Sequence, residues 1–181
     1  VHDWFMYTGD LEWLRSQEEY LEGISRQLSE CIDEKGKDTV TEGRFLDWPS
    51  SDRPDVVDAG VQAIHLLAAD SLRKLFMALG KQGPAEECAR DMERLACFPA
   101  DAGGSKQAAA LLVLAGLRDA EEMNGSVLAE GGAEGMSTFM GYYILTARAM
   151  AGIMKGASHV SATIGAECWN WGLPPSGRIS M

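Results

Sequence analysis

Apolar residues recur at three- and four-residue intervals along most of this chain and alternate nowhere. Behind Asp10, a good helix N-cap, Leu11, Leu14, Leu21, Ile24, Leu28 and Cys31 or Ile32 fall near helical spacing, which predicts a helix through about Asp33. Glu34-Lys35-Gly36-Lys37-Asp38 closes it, with Gly36 as a left-handed stop. A stronger helix is predicted from Asp55 to Leu79, where Val57, Val61, Ile64, Leu67, Leu72, Leu75 and Phe76 form a broad apolar face and Gly80 ends the run. Pro84 sits where a first helical residue belongs, and Glu86 and Glu87 suit a positive helix start; that helix runs to about Phe98, where Pro99 halts it. Ser105 caps an Ala/Leu-rich helix to Leu117, apolar nearly all round and so expected to be buried on most sides. Asp119 opens a short helix towards Ala129, and Ser137 caps a last one, Thr138 to Ala151. The opening Val1-His2-Asp3-Trp4 reads like the interior of a further helix.

No run rich in β-branched residues alternates polar and apolar, so the predicted class is all-α, built from helical hairpins with short connections. Long helix, short turn, long helix recurs without a fixed sequence period. That favours an α/α toroid over a solenoid. The pattern stops at Gly152. From Ile153 to Met181 no helical periodicity is left, and the segment ends in Cys168-Trp169-Asn170-Trp171-Gly172-Leu173-Pro174-Pro175.

At 181 residues the chain is expected to hold one domain with a substantial core. Its net charge of -11 argues against nucleic acid and against an anionic membrane surface as partners. Cys31, Cys88, Cys97 and Cys168 are scattered and form no C-x-x-C pair, so neither a metal site nor a disulfide framework is expected. There is no apolar run of about 18 residues to span a membrane, and the start lacks the basic and apolar regions of a signal peptide. As encoded, the chain is expected in the cytoplasm. No G-x-S-x-G elbow, phosphate-binding glycine loop or H-E-x-x-H helix is present, and no cofactor is expected.

The loop from about Thr39 to Pro54 is the best candidate site, because it holds Phe45, Leu46, Asp47 and Trp48 among Ser, Pro and Gly. An exposed Trp beside an Asp suits a sugar: a flat apolar face for the ring C–H surface and a carboxylate for its hydroxyls. The other reading has Trp48 plugging the base of the loop and Asp47 capping Ser50 or Ser51. His65 lies near an apolar helix face and reads as a satisfied core histidine. Glu86-Glu87 and Glu121-Glu122 are adjacent rather than facing, so neither is a general acid/base pair. The glycine-rich stretch from Gly131 to Gly135 reads as a tight connection lining a cleft.

Four segments in order, Tyr7-Thr8-Gly9-Asp10-Leu11-Glu12-Trp13-Leu14, Gly43-Arg44-Phe45-Leu46-Asp47-Trp48-Pro49-Ser50, Lys106-Gln107-Ala108-Ala109-Ala110-Leu111 and Gly135-Met136-Ser137-Thr138-Phe139-Met140-Gly141-Tyr142-Tyr143, resemble the catalytic domain of bacterial α-L-rhamnosidase-like glycoside hydrolases. The resemblance covers about residues 2 to 152. It implies a six-hairpin α/α toroid, of which this chain would supply about half, and an inverting hydrolase of rhamnose-containing glycans. The sugar-contacting residues it implies are Arg44, Asp47, Trp48, Ser137, Thr138 and Phe139.

The tail also takes a meaning from this resemblance. Residues 153–181, back-translated and shifted by one base, can encode a helix followed by a segment similar to the family's G-A-T-T-x-W-E stretch. The tail is therefore expected to be an out-of-frame product, beginning with one base lost near the Gly152 codon. In the family the general acid lies upstream of the point corresponding to Val1, and the general base is the Glu of T-x-W-E, whose codon straddles Gly177 and Arg178 here. Inverting glycosidases need both carboxylates. The expectation is a truncated domain without catalytic residues; the alternative is a helical carbohydrate-binding or protein-interaction module. Half a toroid leaves lateral faces open, the Ser105–Leu117 helix above all, and a homodimer is the expected remedy.

Overall fold

A computed structural model describes residues 1–152, and these are all helix, turn and loop: α1 (His2–Thr8), α2 (Leu11–Ser16), α3 (Glu18–Glu30), a 3₁₀ turn (Trp48–Ser50), α4 (Pro54–Ala78), α5 (Gln82–Cys97), α6 (Lys106–Leu114), α7 (Ala120–Met123), a π-helical turn (Asn124–Leu128) and α8 (Gly141–Met150). Among them the sole strand-like pairing is an isolated bridge between Ile32 and Asp38. The all-α class holds. The proposed reading-frame origin of 153–181 lies outside the described residues.

The long helix α4 is the hub, because its apolar residues are spread around most of its circumference. Its first half packs Val56, Val57 and Ala63 with Ala109, Leu112, Leu128 and Ile144, joining α6 and α8 to it. Its second half packs Leu72, Leu75 and Phe76 with Leu14, Leu21 and Cys88, joining α2, α3 and α5. The thiol of Cys88 is held above its ordinary pKa by burial, which keeps it an inert core group. The α4–α5 hairpin turns at Gly80, whose φ of 73° needs glycine. Lys81 ties that turn to α3 through Glu18 and Glu22.

Several boundaries differ from the periodicity, each for a local reason. The helix expected from Asp10 to Asp33 is two helices with a break at Gln17 (φ −96°, ψ 0°), and Leu14 and Leu21 on either side share one core. It ends at Glu30, because Asp33 takes over. Its carboxylate accepts the N–H groups of Lys35 and Lys37, both at 2.8 Å, and closes a turn there. Gly36 is left-handed as expected, but its necessity is also steric, since a Cβ there would stand 1.9 Å from the carbonyl oxygen of Arg94. Pro84 is the third residue of α5, still within the first turn, where its missing N–H costs nothing. α8 starts at Gly141 rather than Thr138, since Ser137 caps a preliminary turn by accepting the N–H of Met140 at 3.1 Å.

The largest correction concerns α6. Its apolar circumference does not leave an open face: Lys106 to Val113 are all buried, enclosed by α4, α8 and the π-helical turn with Leu128. The chain covers this helix by itself.

One ion-pair cluster on α4 sets an acid dependence. Burial raises the pKa of Asp70, but hydrogen bonds from Lys74 and Arg73, at 2.6 and 2.8 Å, outweigh it, and the net shift is downward. A depressed carboxylate stabilises the fold above its unfolded pKa and loses that contribution as pH falls through the folded value. Asp70→Asn is therefore expected to lower the melting temperature at pH 6 and to leave it nearly unchanged at pH 2, with the difference read by circular dichroism.

Candidate functional site

Three of the four segments that carry the resemblance meet at one end of the α4–α6–α8 core. The loop before α4 reaches the connection before α8 through Ser137, whose hydroxyl donates to the Asp47 carboxylate at 2.5 Å across 90 residues of sequence. The start of α6 holds the same connection from the other side. Lys106 Nζ donates to the carbonyls of Gly132 (2.8 Å) and Glu134 (2.6 Å), and Gln107 Nε2 donates to that of Gly135 (2.7 Å). Ser105 Oγ, the α6 cap, donates to Gln107 Oε1 at 2.9 Å and orients that amide. The glycines here are needed: Gly131, Gly132 and Gly135 all have φ near +60 to +75°. The segment from Tyr7 to Leu14 is not part of this assembly; its Leu11, Trp13 and Leu14 belong to the core around α2 and α3.

Burial separates the two members of the Asp47–Trp48 pair. Asp47 is fully buried, and its carboxylate caps Trp48 rather than Ser50 or Ser51: Oδ1 accepts the N–H of Trp48 at 2.9 Å, while the hydroxyl of Ser50 donates to the Asp47 backbone carbonyl at 3.1 Å. With its other oxygen taken by Ser137, the carboxylate presents no surface in this arrangement. Trp48 does not plug the loop. It is 73% exposed, with its ring edge-on to Phe45 at 5.2 Å between centroids. Thr138 and Phe139, immediately beyond the bonded Ser137, are exposed as well, Phe139 at 64%. A half-buried polar clasp thus carries exposed aromatic side chains on both of the loops it joins.

Arg44 faces a different environment. Its guanidinium bonds Asp38 at 3.1 Å and Asp58 at 2.9 Å and also donates to the Val40 carbonyl. Together with Lys37, Thr39 and Thr41 these residues line an open cleft of about 420 Å³. Behind it lies a buried network that sequence reasoning missed. Asp38, only 3% exposed, also bonds His65 Nδ1 at 2.6 Å, while its N–H donates to Gln62 Oε1 at 2.9 Å. Gln62 in turn donates to the carbonyls of Gly36 (2.7 Å) and Leu95 (2.9 Å). His65 is indeed a core histidine, satisfied at Nδ1 but without a partner at Nε2 among the described residues. Asp38 carried no signal of its own, being read as part of a helix stop. Lys106 and Gln107 did carry one: polar side chains opening a helix predicted to be buried must be bonded to something.

Among the described residues no three His, Cys, Asp or Glu side chains come together as a metal ion would require, and no helix is long and apolar enough to cross a membrane. No family model matches the chain, and no curated protein and no solved structure is found similar to it.

Proposed function

We propose that residues 1–152 are part of a rhamnosidase-like glycoside hydrolase domain, and that the end of the core at Asp47 and Ser137 forms part of the wall of its sugar site. The observation that carries this reading is the clasp itself. Segments of the resemblance far apart in sequence are bonded to one another there, and exposed Trp48, Phe45 and Phe139 flank the bond. Aromatic faces of this kind suit the C–H surface of a deoxy sugar, with Thr138 as a hydroxyl partner. Carbohydrate is the proposed partner, and the chain's own role is contact rather than chemistry. The resemblance assigns neither the general acid nor the general base to residues 1–152, and inverting hydrolysis requires both.

The test has two readouts. Hydrolysis of an aryl α-L-rhamnoside by this chain is expected to be indistinguishable from buffer, whereas rhamnose or its methyl glycoside should quench tryptophan fluorescence. Trp48→Ala should weaken that binding about tenfold, the factor for loss of one aromatic contact of roughly 1.4 kcal/mol. Turnover that disappears in Asp47→Ala would overturn the assignment of roles. Binding unaffected by Trp48→Ala would overturn the site. A protein-interaction role is the second reading, and the exposed apolar side of α8 is the observation that favours it.

A further inference from the structure

We infer that the outer side of α8 is the contact face between two copies of this chain. Met140, Ile144, Ala147 and Ala151 are buried and form one stripe at helical spacing, turned towards α6. On the opposite side stand Tyr142 (74% exposed) and Leu145 (59%), flanked by Tyr143 and Met150. Arg148 is the one charged residue of α8. A helix apolar on both sides is one that packs on both sides, and the described residues cover only one.

Charge and area both favour a second copy as the cover. The chain carries 27 Asp and Glu against 16 Lys and Arg, so most pairs of its surfaces repel. Yet no carboxylate occurs from Gly135 to Gly152, so α8 itself brings no acidic side chain to the contact, and its Arg148 can face the exposed Glu121 and Glu122 of the adjoining α7 in a second copy. With an aromatic side chain offering about 150–250 Å², the exposed parts of Tyr142, Tyr143, Leu145 and Met150 come to roughly 500 Å² per chain. Two such faces meet the ~1,000 Å² that a specific interface requires. A two-fold axis is the simplest arrangement, since one patch then serves both partners. An interface of this size gives a weak, concentration-dependent dimer. The test of this inference is separate from that of the sugar reading, since the α8 variants lie outside the Asp47 and Ser137 loops and sedimentation reads no sugar binding.

Sedimentation equilibrium of the whole chain at about 100 µM, above the micromolar dissociation constant expected for so small a face, should return the mass of two 19.6 kDa chains. The variant Tyr142→Glu with Leu145→Glu should shift the dissociation constant by at least about 30-fold, the loss of one hot spot. Its helical circular dichroism should be unchanged, because both side chains are exposed. Tyr7→Glu, on α1 and 91% exposed, should leave association as it was. A monomer at every concentration overturns the inference; that is the outcome if residues 153–181 or a different polypeptide cover α8. A dimer indifferent to the α8 variant and sensitive to Tyr7→Glu overturns it equally.

Discussion

Asp38→Ala is expected to destabilise the protein by about 3–5 kcal/mol, the cost of removing one partner from a buried charged network. The carboxylate binds Arg44 at 3.1 Å through one oxygen and His65 at 2.6 Å through the other, and it also accepts the N–H of Val40 at 2.9 Å. Deleting it leaves the buried His65 imidazole, which already lacks a partner at Nε2, without one at Nδ1 as well, and takes from Arg44 one of its two carboxylates, leaving it Asp58 and the Val40 carbonyl. Arg44 lines an open cleft, so the larger part of the cost falls on His65, which is only 3% exposed. Against a typical stability of about 5–15 kcal/mol this is a large fraction. Asp38→Asn should cost less, about 1–3 kcal/mol, because the amide oxygen still accepts from Arg44 while the charge is lost. Urea midpoints at constant m-value measure both. A cost under about 1 kcal/mol for the alanine variant would mean that the network contributes nothing net, as some buried ion pairs do.

That network marks where reading the sequence stops. Helix α4 was legible to within a residue at each end, because Val57, Leu72, Leu75 and Phe76 repeat with helical period between Pro54 and Gly80. The Asp10, Ser105 and Asp119 caps were legible too, since each accepts an N–H three residues on, a purely local bond. What failed depended on residues far away. Nothing in positions 105–117 says that α8 and Leu128 will enclose α6. Nothing near Asp38 says that His65 will lie 2.6 Å from it. The site shows the same division. Composition singled out Asp47 and Trp48, but one residue's burial and the other's exposure follow from Ser137, 90 positions later. Arg44, which the resemblance grouped with them, bonds Asp38 and Asp58 instead.

Asp47→Ala is expected to cost about 2–4 kcal/mol and to loosen the end of the core where the sugar site is proposed. Each of its bonds involves a charged acceptor, a class worth about 1.5–3 kcal/mol per bond, and both donors would be left behind. The N–H of Trp48 would lose its cap at 2.9 Å, and the Ser137 hydroxyl its acceptor at 2.5 Å. Ser137→Ala alone should cost less, about 1–2 kcal/mol, because Asp47 would keep its bond to the backbone while one oxygen goes unpaired. The pair in combination should fall short of the sum by about 0.5–3 kcal/mol, the coupling expected of directly bonded side chains. A double-mutant cycle in urea checks this, and strict additivity would show that the 2.5 Å contact carries no energy. The same variants separate holding from binding. If Asp47 only clasps the two loops, then Asp47→Ala and Ser137→Ala weaken rhamnose binding by the same mechanism, displacement of Trp48 and Phe139, and their effects on affinity track their effects on stability. If Asp47 instead bonds the sugar directly, Asp47→Ala must lose affinity well beyond what Ser137→Ala loses at matched stability. Because the carboxylate is fully buried with both oxygens occupied, the first outcome is the expected one.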